Sequence, residues 1–337
     1  MKICLVLIGR IGDLILSTPA FSALKQRYPN AQISAIISQG NGAVLHNNPY
    51  VDEVFEFTKN YSGLYRLFRF LRKNHFDYWI DQKDHYSATS RYLALFARAN
   101  HKIGFEKADR KHCFAFDQTI PLRIHGKSHF TQKVANALQL VDVSLGSLPH
   151  ELFSQLYLGS DAIAKAKAYF DSVASADNRK LKLLINLSAS SSNRIYTYEN
   201  WTRLFELVSF DKYNITLVSM PKEREIARQL RAKFPELHEH NTDSLEDFFA
   251  TIHECDILIS PDTSAVHVAA AFSKPTVALY GYDLDNLVSF APLSDALGKT
   301  VFVLTPAKDS PLHLTNNING ITAQQILSSL NSICRSI

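Results

Sequence analysis

A chain of 337 residues exceeds what a single hydrophobic core usually holds, so two domains are expected. Its 46% hydrophobic and 20% charged residues fit a soluble globular protein, and no apolar run approaches the roughly 20 residues of a membrane helix. The net charge of +4 is uneven: residues 1–150 hold 19 Lys and Arg against 11 Asp and Glu, and the remainder 17 against 21. A basic first half suits an anionic or phosphorylated acceptor, a membrane surface or a nucleic acid, although an unplanned surface bias gives the same count.

The pattern opens with a buried strand over residues 2–9. This stretch is too short and wrongly flanked for a signal peptide, so the protein is expected to stay in the cytoplasm. A turn, Gly9-Arg-Ile-Gly-Asp13, leads into a helix over 14–28, with a kink at Pro19 or a late start capped by Thr18. Strands follow over 32–37 and 51–57, with a short helix near 40–46 between them. Residues 61–74 form an amphipathic helix with Leu64, Leu67, Phe68 and Leu71 on the core face. Its basic side, with Tyr61, Tyr65 and Phe70, suits either water or a membrane interface. A strand over 76–81 ends in Asp81, a helix covers 87–98, and a strand covers 101–105. Residues 106–128 read as a long basic loop holding one strand, 113–116, and His129 opens a helix to about 141.

Residues 142–155, with Gly146 and Pro149, read as the connection between domains. The second half repeats the alternation: helix 160–174, strand 181–187, helix 199–209, strand 215–219, helices 222–233 and 245–254, strand 256–260, a helix ending near 271, and strand 275–280. Residues 282–298 read as loop, followed by a strand at 300–304 and a helix near 322–335. Strand and helix in alternation give an α/β fold. Cys4, Cys113, Cys255 and Cys334 have no metal-type spacing and read as reduced core thiols.

Polar residues gather where strands end. Asp262, Thr263 and Ser264 occupy a strand-to-helix turn, where free amides and the positive helix end favour a phosphate or diphosphate. His267 follows one turn later; an ordinary capped helix with a packed histidine fits the same residues. Arg194 ends the turn Ser188-Ala-Ser-Ser-Ser-Asn-Arg194, where a cation can neutralise a diphosphate with Ser190 donating beside it. Glu223 follows a strand end, where a carboxylate commonly meets ribose hydroxyls. Asp13 is either a helix cap or a general base. Gly9 and Gly12 do not make the G-x-G-x-x-G dinucleotide fingerprint, which disfavours a nicotinamide oxidoreductase.

Over nearly its whole length the chain resembles the heptosyltransferases, glycosyltransferase family nine. The resemblance is carried by Gly12-Asp13 with Pro19, Ile80-Asp81-Gln82, Ile103-Gly104-Phe105, His129, Arg194 through Trp201, Pro221-Lys-Glu-Arg-Glu-Ile-Ala227, Ser260-Pro-Asp-Thr-Ser-Ala-Val-His267 and Pro275-Thr-Val-Ala-Leu-Tyr-Gly281. It implies the GT-B architecture, two Rossmann-like domains facing across a cleft. Residues 1–155 would bind the acceptor, residues 156–321 the nucleotide sugar, and residues 322–337 would return as a helix toward the N-terminal domain. It implies inverting transfer of a heptose from ADP-heptose to the inner core of lipopolysaccharide, without metal or other cofactor. Asp13 would be the general base. Ser190, Arg194, Glu223, Asp262, Thr263, Ser264 and His267 would hold the nucleotide sugar. Such an enzyme would work at the inner face of the cytoplasmic membrane, with no transmembrane segment and no nucleic-acid partner. A related transferase with another nucleotide sugar or acceptor, or a non-catalytic nucleotide-binding protein of this fold, shares these features. Three positions depart from the family. Ser264 stands where glycine is usual, and serine would carry a cost there if φ were positive. Arg194 stands for a lysine, and Tyr282-Asp-Leu-Asp285 follows Gly281 in place of Pro-Thr-Asp-Pro.

Overall fold

Among the described residues, short apolar runs separated by amphipathic segments become two six-stranded sheets whose strands run parallel. The computed structural model describes residues 1–82, 87–106, 115–121, 129–147, 153–174, 180–293 and 301–335. The chain divides into Met1–Tyr157 and Leu158–Ile337.

The first unit contains β1 (Lys2–Leu7), α1 (Ile11–Ser17), α2 (Pro19–Arg27), β2 (Gln32–Ser38), β3 (Glu53–Phe57), α3 (Tyr61–Lys73), β4 (Phe76–Asp81), α4 (Ala88–Phe96), β5 (Ala99–Glu106), β6 (Gln118–Pro121) and α5 (Phe130–Gln139). Its sheet order is β3-β2-β1-β4-β5-β6, so the winding reverses between β1 and β4. In open parallel sheets such a reversal leaves a crevice beyond the strand ends. The β1–β4 register sets Val6 opposite Asp81, and the Gln82 amide donates to the Val6 carbonyl at 3.1 Å.

Pro19 breaks the helix expected over 14–28 into two. Its missing N–H is harmless only in a first turn, and it takes that place in α2. Thr18 does not cap: its backbone is helical, and its hydroxyl donates to the Ile15 carbonyl at 2.7 Å. The same hydroxyl accepts from the Gln155 amide at 2.8 Å, which ties the end of the expected connection to this unit.

On α3 the structure changes three of the expected positions. Phe70 is core, packed with Leu67, Leu71, Phe76 and Trp79, whereas Leu64 and Phe68 are exposed. The helix carries two apolar stripes, and periodicity alone does not say which one a sheet will cover. The strand of the basic loop is Gln118–Pro121. Of the expected 113–116, Ala115 and Phe116 are not strand, and Cys113 and Phe114 lie outside the described residues.

The second unit contains α6 (Ser160–Val173), β7 (Leu181–Asn186), α7 (Tyr198–Phe205), β8 (Tyr213–Val218), α8 (Arg224–Lys233), β9 (His238–Glu239), α9 (Leu245–Glu254), β10 (Ile257–Pro261), α10 (Ser264–Ala271), β11 (Thr276–Leu279), α11 (Leu284–Phe290), β12 (Val301–Leu304) and α12 (Ala323–Cys334). Its order is β12-β11-β10-β7-β8-β9, with the reversal between β7 and β10. Helix α11 occupies a stretch expected to be loop, started by Asp283, whose carboxylate accepts from the Asn286 amide at 3.1 Å. Helix α12 places Ile326, Leu330 and Ile333 in the core of the second unit with Trp201 and Phe205. Among the described residues no helix is long and apolar enough to cross a membrane.

Candidate active site

Each sheet presents polar side chains at its reversal point. In the first unit, Leu7, Ile8, Gly9, Asp13, Leu14, Gln82 and Phe130 line a small pocket. Its space of about 20 Å³ admits one water, and therefore one hydroxyl. Asp13 is not the cap of α1. Arg10 holds the cap position, and Asp13 lies half-buried in the first turn, where a carboxylate suits the helix dipole. Gln82 follows the last residue of β4 and is 4% exposed. Among the described residues, neither end of its carboxamide has a hydrogen-bond partner. An amide buried this way costs about 1–3 kcal/mol, so the group is set for a polar atom supplied from elsewhere. His129 caps α5, its Nδ1 lying 3.3 Å from the Thr131 amide and 2.9 Å from the Thr131 hydroxyl.

In the second unit the polar residues are bound to one another. The Asn186 amide nitrogen donates to Ser260 Oγ at 3.0 Å and Thr263 Oγ1 at 3.2 Å, which joins the ends of β7 and β10. Thr263 caps α10, its hydroxyl oxygen accepting from the Ala265 amide at 3.3 Å. Arg194 reaches the next residue back: its guanidinium is 2.9 Å from Asp262 Oδ2. Asn286, from α11, donates to the same oxygen at 2.8 Å. Tyr280 lies beside them; burial first, then the Asp262 charge, raises its phenol well above the ordinary value. It stays protonated and donates to the Phe290 carbonyl at 2.9 Å.

Glu223 joins through Ser188, whose hydroxyl donates to Glu223 Oε2 at 3.0 Å and accepts from the Met220 amide at 2.6 Å. The other carboxylate oxygen faces Lys222 at 3.3 Å. Asp262, Thr263, Ser264, Arg194 and Glu223 are thus drawn into one connected region. His267 is buried within α10, and Ser190 stands exposed on its turn. Ser264 is the first residue of α10 and carries no positive φ, so serine is unstrained where glycine is usual.

Asn186, Ser188, Asn286 and the amide of Gln82 escaped the sequence reading. Asn186 and Ser188 had a signal, since both are polar residues closing an apolar strand. Asn286 had none, because its helix buries no residue. Asp283-Leu284-Asp285 has Asp-x-Asp spacing, but Asp283 is the cap of α11. Among the described residues, no three His, Cys, Asp or Glu side chains gather as a metal ion would require.

Known proteins resemble this chain over most of its length. Lipooligosaccharide heptosyltransferase 2 of Haemophilus ducreyi is 26% identical over 300 residues, covering 83% of each chain. Lipopolysaccharide heptosyltransferase 3 of Escherichia coli K12 is 24% identical over 296 residues, covering 80% of this chain and 79% of that one. Among solved structures, the E. coli ADP-heptose lps heptosyltransferase II superposes with a TM-score of 0.78 at 19% identity, over 100% of this chain and 99% of the other. The E. coli heptosyltransferase WaaC with ADP gives 0.73 at 17% identity, over 99% and 100%. The sequence description of glycosyltransferase family 9 (heptosyltransferase) matches residues 64–308, which include β4 with Gln82 and the turns of Arg194, Glu223 and Asp262. With most of its length matched, and two Rossmann-like sheets of the kind found in GT-B enzymes, the chain belongs to glycosyltransferase family 9 and is a glycosyltransferase.

Proposed function

We propose that this enzyme transfers a heptose from ADP-heptose to the inner core of lipopolysaccharide, with inversion and without a metal ion. Relatives named for lipopolysaccharide and lipooligosaccharide heptosyl transfer support the substrate class, and the ADP in the WaaC structure supports the donor. The observation that carries the acceptor side is Asp13 in a hydroxyl-sized pocket beside the bare carboxamide of Gln82. Gln82 orients the acceptor hydroxyl and Asp13 takes its proton. The oxygen attacks the anomeric carbon, and the bond from that carbon to the diphosphate breaks on the opposite face.

Negative charge then collects on ADP. Arg194, the Thr263–Ala265 turn, the Ser190 hydroxyl and His267 are assigned to it. Arg194 is held by Asp262 before the donor arrives. As the guanidinium turns to the diphosphate, Asn286 keeps a donor on Asp262. Glu223 is assigned the ribose hydroxyls; movement of the exposed Lys222 chain opens its second oxygen. The acceptor is lipid-borne, so the protein works in the cytoplasm at the surface of the inner membrane.

The test is incubation with ADP-heptose and heptose-deficient lipopolysaccharide, followed by mass spectrometry of the product. One added heptose, the same yield in EDTA, and an inverted anomeric proton signal are expected. Thermal protection by UDP but not ADP, or transfer that stops in EDTA, overturns the reading.

A further inference from the structure

We infer that the outer faces of α3 and α4 dock this enzyme on an anionic lipid surface. The inference takes from the proposed function only the reason to visit a membrane, namely a lipid-borne acceptor. The geometry stands on its own. Helix α3 turns Gly63, Leu67, Phe70 and Leu71 inward. Its second stripe, Tyr61, Leu64, Tyr65 and Phe68, recurs at helical spacing and faces water at 94%, 52%, 63% and 48% exposure. Helix α4 repeats the arrangement: Leu93 and Ala94 are inside, while Tyr92, Leu95 and Phe96 are 52%, 40% and 65% exposed. Both helices rest on the same core cluster, and the Arg98 guanidinium, just past α4, donates to the Arg72 carbonyl on α3 at 3.1 Å. The two exposed stripes therefore belong to one side of the first unit.

Charge selects the occupant. Neither helix contains an Asp or Glu, and α3 carries Arg66, Arg69, Arg72 and Lys73. Arg69 lies 6.0 Å from the Tyr65 ring centre, Arg72 lies 5.6 Å from that of Phe68, and Arg91 lies 5.1 Å from that of Tyr92. Cations stacked on exposed rings belong where apolar matter and negative charge meet, which is the headgroup boundary of an anionic bilayer. The Tyr rings can lie among acyl carbonyls with their hydroxyls in water. A nucleic acid supplies the charge and base faces for the rings, but nothing aliphatic for Leu64 and Leu95. A second copy supplies the apolar surface but sets like charges together.

The experiment is co-sedimentation of the full-length enzyme with vesicles of phosphatidylcholine alone and of phosphatidylcholine with phosphatidylglycerol. Binding to the anionic vesicles is expected, falling as salt rises. Arg66→Ala with Arg69→Ala should weaken it about 25-fold, since each cation near such a surface is worth about fivefold. Tyr65→Ser with Phe68→Ser should weaken it about tenfold through lost apolar burial. Both variants should keep the wild-type circular dichroism spectrum and wild-type transfer to detergent-dispersed acceptor. That readout separates failed docking from a failed assignment of the reaction. Wild-type vesicle binding by either variant overturns the inference. So does loss of transfer to the dispersed acceptor in step with binding, which would make the face an acceptor subsite. A wild-type dimer in light scattering that the variants dissociate overturns it too, since a second copy then covers the face.

Discussion

The two units are built alike and finished differently. Each is a six-stranded parallel sheet that reverses its winding once, and each gathers polar groups at the reversal. In the second unit these groups satisfy one another: Asn186 holds Ser260 and Thr263, Ser188 holds Glu223, and Asp262 is shared by Arg194 and Asn286. In the first unit the amide of Gln82 is buried and finds no partner among the described residues. Polar groups that already have partners stabilise the fold and must exchange them to bind. A group without one destabilises the fold slightly and gains its whole bond from the ligand. Substitutions should therefore divide by unit, those in the first lowering rate and those in the second lowering both stability and nucleotide affinity.

The largest effect is expected at Asp13. Asp13→Asn should lower kcat by roughly 10²–10⁴-fold, the usual worth of a positioned base, with Tm and ADP affinity unchanged. Near-normal turnover in that variant removes Asp13 from the chemistry. Next comes Arg194→Ala, which strips a charged donor from the buried Asp262 carboxylate. A loss of about 2 kcal/mol in urea unfolding is expected, together with about tenfold weaker ADP binding by calorimetry. Unchanged calorimetry would place the diphosphate elsewhere.

Ser188→Ala should cost about 1–2 kcal/mol, because Glu223 and the Met220 amide both lose a buried partner. A variant as stable as the wild type would mean that water replaces the hydroxyl. The smallest effect, and the sharpest contrast, is Gln82→Leu. Transfer should fall about tenfold while stability holds or rises slightly, since an unsatisfied amide is exchanged for an apolar chain of similar size. A clear loss of stability with normal kcat would make Gln82 a structural residue and erase the difference between the units.

The α/β fold was legible because parallel strands buried on both faces leave continuous apolar runs, such as those ending at Leu7 and Pro261. Where the outcome depended on covering, the sequence was mute. Phe68 and Phe70 are equally apolar, and only the sheet beneath α3 decides which is core. Strand β9 is two residues long and α11 buries none of its residues, so neither leaves a periodic trace. The Asp262–Ser264 turn was readable from its order along the chain, since a strand, a capping residue and a helix are local. That Asp262 would be shared, or that Gln82 would lack a partner, depends on residues remote in sequence.

The shared Asp262 bears on turnover as well as on capture. A guanidinium with a carboxylate to return to grips a spent nucleotide less firmly than a lone arginine would. In the proposed cycle, re-formation of the 2.9 Å contact between Arg194 and Asp262 accompanies the departure of ADP. In that cycle the carboxylate is a resident rival of the product and works against its retention.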